Sequence, residues 1–410
     1  MLDTTTKTPN ANETQQALAS LEAINTQQAI DTLKRIEGEL NIELIERSDA
    51  IRAILIALIT RQHGVLLGPP GTGKSWLIVK VAKRIATIAQ NGNGLKTFVR
   101  LITKTTQPEE LFGPVSIAAL KNDQFKRVVT NMLPEAELAF LDEVFKGSSA
   151  ILNTLLTIMN EREFDNGTDR VSVPLISLFA ASNEMPQGED LNAMWDRLVL
   201  RVMVDYTTES GFARLIRTAA APLIQTTLAK AELVAIQDAV RQVPIPASTY
   251  AAIETLRKDL QRKGIIVSDR RWQWATTLLQ GQAVLESRAA VEEDDLMILK
   301  EALWSAPEQR SDIGRMAARL ANPLNAKAVE LSDQVESAFV AFTDAQTNAA
   351  NKNEQMNSAV DTNLKMKDAL EKLGRLKEQA EAQSRPTTRI DKVIDEVTAK
   401  HQQVCQVILG

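Results

Sequence analysis

Cysteine and histidine are almost missing from this chain of 410 residues: Cys405 stands alone, and His63 and His401 are the two histidines. That scarcity excludes a disulfide scaffold, a zinc ribbon and most histidine-based metal centres. Cys405 is expected to be an inert helix residue in a reducing compartment. Long apolar runs are also lacking. The best, Ile54–Ile59, is far too short to span a bilayer. The start, MLDTTTKTPNANETQQ, has no basic segment followed by an apolar one, so no secretory signal is expected. Aromatic residues make up 4% of the chain and the formal net charge is −5. A mildly acidic chain without interleaved aromatic and basic stripes is a poor nucleic-acid binder. The expectation is a soluble cytoplasmic protein with no membrane span.

What is present suffices for ordinary cores. Hydrophobic residues are 44% and charged residues 24%, and the length suits two or three domains. Residues 1–40 read as a tail, polar and mobile over 1–25, that turns helical toward Ile36. Apolar residues recur at helical spacing from Ile42 to Ile59, and Gly64–Gly68 reads as a short buried strand. Helix and strand signals alternate from there to Asp205, the pattern of an α/β unit with a parallel sheet over 41–206. Residues 207–321 carry helical periodicity and little strand signal, a second, all-α domain that ends at Asn322-Pro323. Residues 322–410 read as a helical hairpin or coiled-coil arm, broken at Ser384-Arg-Pro-Thr-Thr388. In its last piece Ile390, Val397 and Val404 sit seven apart, as do Ile394, His401 and Ile408, which makes His401 a core or edge residue.

The sharpest motif is Gly68-Pro69-Pro70-Gly71-Thr72-Gly73-Lys74-Ser75, which matches the phosphate-loop pattern. Glycines leave room for backbone N–H groups to curl around phosphate oxygens. A helix expected over Lys74–Ala89, apolar at Leu77, Ile78, Val81, Ala82 and Ile85, aims its positive end at the same charge. Lys74 is placed to reach the β- and γ-phosphates, and the Ser75 hydroxyl to bind Mg²⁺. Trp76 follows directly and belongs to the same candidate nucleotide contact.

Downstream, Leu138-Ala-Phe-Leu-Asp142-Glu143 is an apolar strand ending in two carboxylates. Parallel strands end at the ligand crevice. Asp142 is therefore the candidate for the Mg²⁺ shell and Glu143 for the base that polarises an attacking water. A third strand, Leu175–Ala181, ends in Ser182-Asn183, where the Asn183 amide could orient that water or touch the γ-phosphate. Between them, Glu163–Val173 has Asn166-Gly167 between two β-prone arms, a hairpin signal. Arg162 and Arg170 beside it are read as solvated charges in preference to pore-lining ones.

These residues in this order resemble the AAA+ ATPases of the MoxR family, and the likeness is nearest to its RavA-type branch. Beyond the nucleotide motifs, it is carried by Gln107–Ser116, Leu133–Ala136 leading into Phe140–Glu143, Ile151–Leu156, Asn160–Arg162, Ala181–Glu184, Trp195–Leu198 and Val267–Trp272. It covers roughly 42–310. The fold implied is a P-loop core with a parallel sheet, an all-α lid, and a long helical C-terminal region.

The resemblance implies a homo-oligomeric ring, hexameric, with ATP and Mg²⁺ at subunit interfaces. By position, Asn183 is the residue called sensor 1. Arg197 is the candidate arginine finger with Arg201 as second candidate, and Arg270 is the lid arginine called sensor 2, with Arg271 adjacent. Residues 108–133 would hold the family's helix-2 insert and Asn166-Gly167 its pre-sensor-1 turn, both near a central pore. Relatives act with von Willebrand factor A-domain partners as chaperone-like remodellers of a protein client. The β-rich module that interrupts the C-terminal region of RavA-type proteins is not visible here. Two other functions fit an AAA+ ring: a nucleic-acid motor, and an ATP-gated scaffold with little turnover.

Overall fold

Alternating buried strands and amphipathic helices build one parallel sheet with helices around it. The computed structural model describes residues 11–85, 95–186, 188–217, 225–321, 323–348, 352–382 and 387–409. Helix α1 (Ala11–Glu43) leads through a short link into α2 (Ser48–Thr60). Ten of the 13 residues of α2 are buried, as expected of a helix apolar all round. Strand β1 (Gly64–Leu67) then feeds the phosphate loop and α3 (Lys74–Arg84). Next come β2 (Thr97–Leu101), the four-residue helices α4 (Glu109–Phe112) and α5 (Ile117–Leu120), and β3 (Leu138–Asp142). Helix α6 (Ser149–Glu161), the hairpin β4 (Glu163–Asn166) and β5 (Asp169–Ser172), β6 (Ser177–Ser182), α7 (Glu189–Arg197) and β7 (Leu200–Met203) complete the unit.

The sheet order is β2-β3-β6-β1-β7, and every pairing within it is parallel. Leu67 pairs with Ser182, and Asp142 with Ala181. The three central strands therefore end at one level, where the connecting loops gather.

Helices α8 (Glu209–Leu215), α9 (Lys230–Gln242), α10 (Ala247–Arg262), α11 (Asp269–Leu285) and α12 (Pro307–Ala321) follow, with a 3-10 stretch at Glu293–Glu301. All but α8, whose Phe212 and Leu215 are exposed, share one hydrophobic cluster with the sheet and with α1 and α2. Polar ties reinforce it: the Gln237 amide donates to Leu58 O at 2.9 Å. The last three helices, α13 (Pro323–Asn348), α14 (Lys352–Ala382) and α15 (Thr388–Leu409), have a core of their own. Ile390, Val397 and Val404 are all buried in it, the seam that their seven-residue spacing announces.

Four details differ from the sequence reading. The helix after the phosphate loop stops at Arg84, because Ile85 turns extended and bridges to Leu228; residues 86–89 of the expected helix lie outside the described residues. The polar N-terminal stretch is helical from Ala11, while residues 1–10 lie outside them as well. The stretch from Ile42 to Ile59 is two helices, since Glu46 adopts a left-handed φ of 56° between α1 and α2. Among the described residues the C-terminal arm holds three helices, because 329–383 divides between α13 and α14. Asn322 and Ser384–Pro386 lie outside the described residues.

Candidate functional site

The phosphate loop leaves β1 at Leu67 and becomes helix at Lys74. Gly73 stands at the junction with φ 81°, the left-handed region that a side chain resists. Lys74 is buried, and its Nζ donates to Gly68 O at 2.8 Å, Pro69 O at 2.9 Å and Asn183 Oδ1 at 2.7 Å. Burial holds its pKa below the usual lysine value, opposed by the nearby Asp142 and Glu143. Ser75 Oγ donates to Asp142 Oδ2 at 2.7 Å. The pairing of β1, β6 and β3 thus sets two hydrogen-bonded pairs side by side, Lys74 with Asn183 and Ser75 with Asp142.

Glu143 follows β3 with φ 54°, a left-handed position for a residue with a side chain. Its backbone N–H donates to Asp142 Oδ1 at 3.0 Å. Its carboxylate is nearly buried and pairs with Lys146 Nζ at 3.2 Å. The sequence reading did not single out Lys146; its place three residues after Glu143, across a 3-10 turn, is a signal visible only once that turn is known.

Beside the loop lies a cavity of about 320 Å³. Gly71, Thr72, Gly73 and Trp76 line it from the loop side, with Leu77 behind. The link between α1 and α2 contributes Leu44, Ile45 and Arg47, and the region after β7 contributes Tyr206, Thr207, Phe212 and Leu215. The Tyr206 hydroxyl donates to Pro70 O at 3.1 Å, and Arg47 Nη2 to Thr72 O at 3.3 Å, so both edges are tied to the loop. Trp76 is half exposed, with Lys80 Nζ 5.0 Å from its ring centroid. An apolar, aromatic-walled cavity next to a phosphate loop has the chemistry for a base and sugar. Apart from Thr72, Trp76 and the loop glycines, these residues carry no motif. Exposed Tyr206, one of two tyrosines in the chain, is the nearest thing to a sequence signal.

The four candidate arginines divide. Arg197, at the end of α7, donates to Ala193 O at 2.8 Å, and burial followed by the charge of Arg270 lowers its pKa. Arg270 is exposed at the start of α11, with its guanidinium 5.8 Å from the Trp274 ring centroid. The charge of Arg270 thus acts on Arg197, and neither residue is among those lining the cavity.

Arg201 is a correction. It is fully buried, it lies 4.1 Å from the Trp195 ring centroid, and it donates to Leu198 O at 3.0 Å and to the carbonyls of Trp195 and Trp304. A guanidinium saturated by interior carbonyls is not presented to a neighbour, so Arg201 does not serve as a finger. Burial drives its pKa well down. Arg271 is also interior: it is buried against Asp196 at 3.0 Å and reaches Ser305 Oγ at 3.4 Å. It is not exposed to touch a phosphate.

The expected hairpin is present as β4 and β5. Gly167 turns it with φ 74°, and a Cβ there would fall 1.8 Å from Phe125 O. The Asn166 amide brackets the Arg127 backbone at 2.6 and 3.2 Å, which fastens the hairpin to the segment 113–132. Arg170 is exposed and paired with Glu161, Glu163 and Asp165, a solvated charge as read. Arg162 is not solvated. It donates to Arg61 O and Ile176 O, and burial brings its pKa down to about 10.

Among the described residues no cluster of three or more His, Cys, Asp or Glu could hold a metal, and no helix is long and apolar enough to cross a membrane. The Ser75–Asp142 pair is a hydroxyl and a carboxylate, oxygen donors of the kind Mg²⁺ accepts beside phosphate oxygens.

Residues 31–242, over half the chain, match the family of MoxR domains in MoxR-vWA-beta-propeller ternary systems, and residues 248–317 match an AAA lid domain. An uncharacterised protein of Methanocaldococcus jannaschii is 40% identical over 268 residues, 65% of this chain and 68% of its own length. A second from the same organism is 36% identical over 301 residues, 73% of this chain and 78% of its own. A structural protein of Acidianus two-tailed virus is 32% identical over 166 residues, 40% of this chain and 26% of that protein. The crystal structure of a protein assigned as an ATPase from Cytophaga hutchinsonii superposes with a TM-score of 0.58 at 17% identity, covering 75% of this chain and 98% of that one. That likeness speaks for the fold alone. With its parallel sheet, phosphate loop and all-α lid, the chain belongs to the MoxR family of AAA+ ATPases.

Proposed function

We propose that the chain hydrolyses ATP at the interfaces of a homo-oligomeric ring, hexameric, and uses the cycle to remodel a protein client beside a von Willebrand factor A-domain partner. The observation that carries the reading is the group formed by Lys74, Ser75, Asp142 and Asn183 at the ends of β1, β3 and β6. In it Lys74 grips the β- and γ-phosphates, exchanging loop carbonyls for phosphate oxygens. Ser75 and Asp142 hold Mg²⁺, which supplies charge neutralisation on the triphosphate when bound. Glu143 takes the proton of the attacking water, and Asn183 orients that water. Arg197 reaches the triphosphate of the adjoining protomer, where a finger is worth about 10³–10⁵ in rate.

Residues 41–206 serve as the nucleotide-binding domain, 207–321 as the lid, and 322–410 as an arm. The segment 113–132 presents exposed Ile117, Leu120 and Phe125, apolar contacts that suit a polypeptide better than a phosphodiester strand. The partner is supported by the description of the matching family. The RavA-type placement and a cytoplasmic location belong to the same reading, the first resting on the quoted motifs.

The test is ATP turnover with Mg²⁺ by the assembled protein. Lys74→Ala is expected to lose nucleotide binding. Glu143→Gln is expected to bind ATP normally and hydrolyse it about 10²–10⁴-fold more slowly. Unchanged affinity in the first, or near-normal turnover in the second, overturns the assignment.

A further inference from the structure

Three consecutive residues end α7, and each points to a different neighbour. Trp195 packs inward, edge-on to Trp304 at 5.6 Å and beneath the Arg201 guanidinium at 4.1 Å. Arg197, half-buried, turns back to donate to Ala193 O at 2.8 Å and feels the charge of Arg270. Asp196, between them, turns to the start of α11: its Oδ1 accepts from Ser268 Oγ at 2.8 Å and from Arg271 Nη2 at 3.0 Å. Ser268 is also the residue that caps α11, accepting the Arg271 backbone N–H at 3.2 Å. One carboxylate oxygen therefore holds both the cap of the lid helix and the residue beside Arg270.

We propose that Asp196 is a positioning residue for the finger. By fastening the N-terminus of α11 to the last turn of α7, it sets Arg197 and Arg270 as one rigid pair of cations aimed at an adjoining triphosphate. This deepens the reading above and rests on it. The physical basis is geometric. Two guanidinium groups repel, so bringing them to one place needs a scaffold that fixes both backbones. Among the described residues Asp196 is the one charged link between the two elements: Arg271 is nearly buried, with 4% of its side chain exposed, and Asp196 is its ion-pair partner. A buried ion pair is weak support for stability but good support for register, since its geometry has few alternatives. A lid held this way moves with the finger of its own protomer, and its orientation is read at the site of the next.

The test uses the full chain in its assembled state. Asp196→Asn is expected to lower kcat about 10- to 100-fold, the cost of a misplaced reacting group, with the KM for ATP within about twofold of wild type. The double variant Asp196→Asn/Arg271→Leu removes the unpaired charge. Its thermal midpoint is expected to return toward wild type while kcat stays low. Recovery of kcat together with stability would show that the pair only holds the fold together, and would overturn the proposal. Mixing Asp196→Asn with Glu143→Gln subunits is expected to raise turnover above that of either variant alone, because an intact Glu143 then meets an intact neighbour. No rise overturns the action in trans. Arg197→Ala, measured alongside, separates the two levels: if it is inactive while Asp196→Asn matches wild type, only the positioning role fails; if it turns over normally, the finger reading fails as well.

Discussion

Lys146 Nζ lies 3.2 Å from Glu143 Oε2, across a single 3-10 turn that starts where Glu143 adopts a left-handed backbone. The carboxylate proposed to accept a proton from water is thus already engaged by a cation of its own chain. The lysine is partly exposed, with 42% of its side chain accessible against 11% for the glutamate.

Removing that cation is expected to free the base. A pair with one partner open to solvent is worth about 1 kcal/mol, so Lys146→Met should raise basal ATP turnover by up to about fivefold at low salt, and by less as salt screens the pair. Steady-state turnover across a salt series checks this. A fall in turnover would show that Lys146 orients Glu143 instead of restraining it.

Arg197→Ala should leave ATP affinity unchanged and reduce turnover by about 10³-fold or more, as loss of a finger does. Because the defect lies in the neighbour's site, wild-type subunits titrated with this variant should lose activity faster than their share falls. Activity strictly proportional to wild-type content would place Arg197 outside the adjoining site.

His63 makes stability depend on pH. Its Nδ1 accepts the Leu178 N–H at 2.9 Å, so Nε2 carries the proton and donates to Met159 O at 3.1 Å. Burial, and then the charge of Arg162, push its pKa from 6.5 to about 3. Below pH 6.5 the unfolded chain takes up a proton that the folded one refuses. Stability contributed by the neutral ring is therefore whole above pH 6.5 and is lost as pH falls toward 3, by roughly 2 kcal/mol at pH 5. Thermal midpoints from pH 7 to 5 should fall less steeply in His63→Gln than in wild type. Parallel slopes would mean that other groups govern acid stability.

The C-terminal bundle should be dispensable for nucleotide binding. Its core is separate, no bundle residue lines the cavity among the described residues, and Arg319–Glu330 is an exposed pair at the junction, a kind worth little. A chain ended after Ala321 is expected to fold and to bind Mg-ATP within about twofold of the full protein. Loss of binding on truncation would show that the bundle braces the core.

The local chemistry was written in the sequence, because phosphate binding needs Gly68–Ser75 in order and a parallel strand ending in acids announces its crevice edge. The buried β1 and β3, the turn at Asn166-Gly167 and the α15 seam follow from patterns of a few residues. Long-range placement was not legible. Whether an arginine is a finger or a core residue depends on what surrounds it. Arg201 and Arg197 are four apart, yet only one meets the carbonyls of Trp195 and Trp304. The cavity walls come from residues 43–47 and 206–215, far apart in the chain and joined by hydrogen bonds such as Thr208 N–H to Glu46 at 2.8 Å. The site's chemistry is set by residue types at short spacing, whereas its neighbours, its burial and its charge partners exist only after the chain closes on itself.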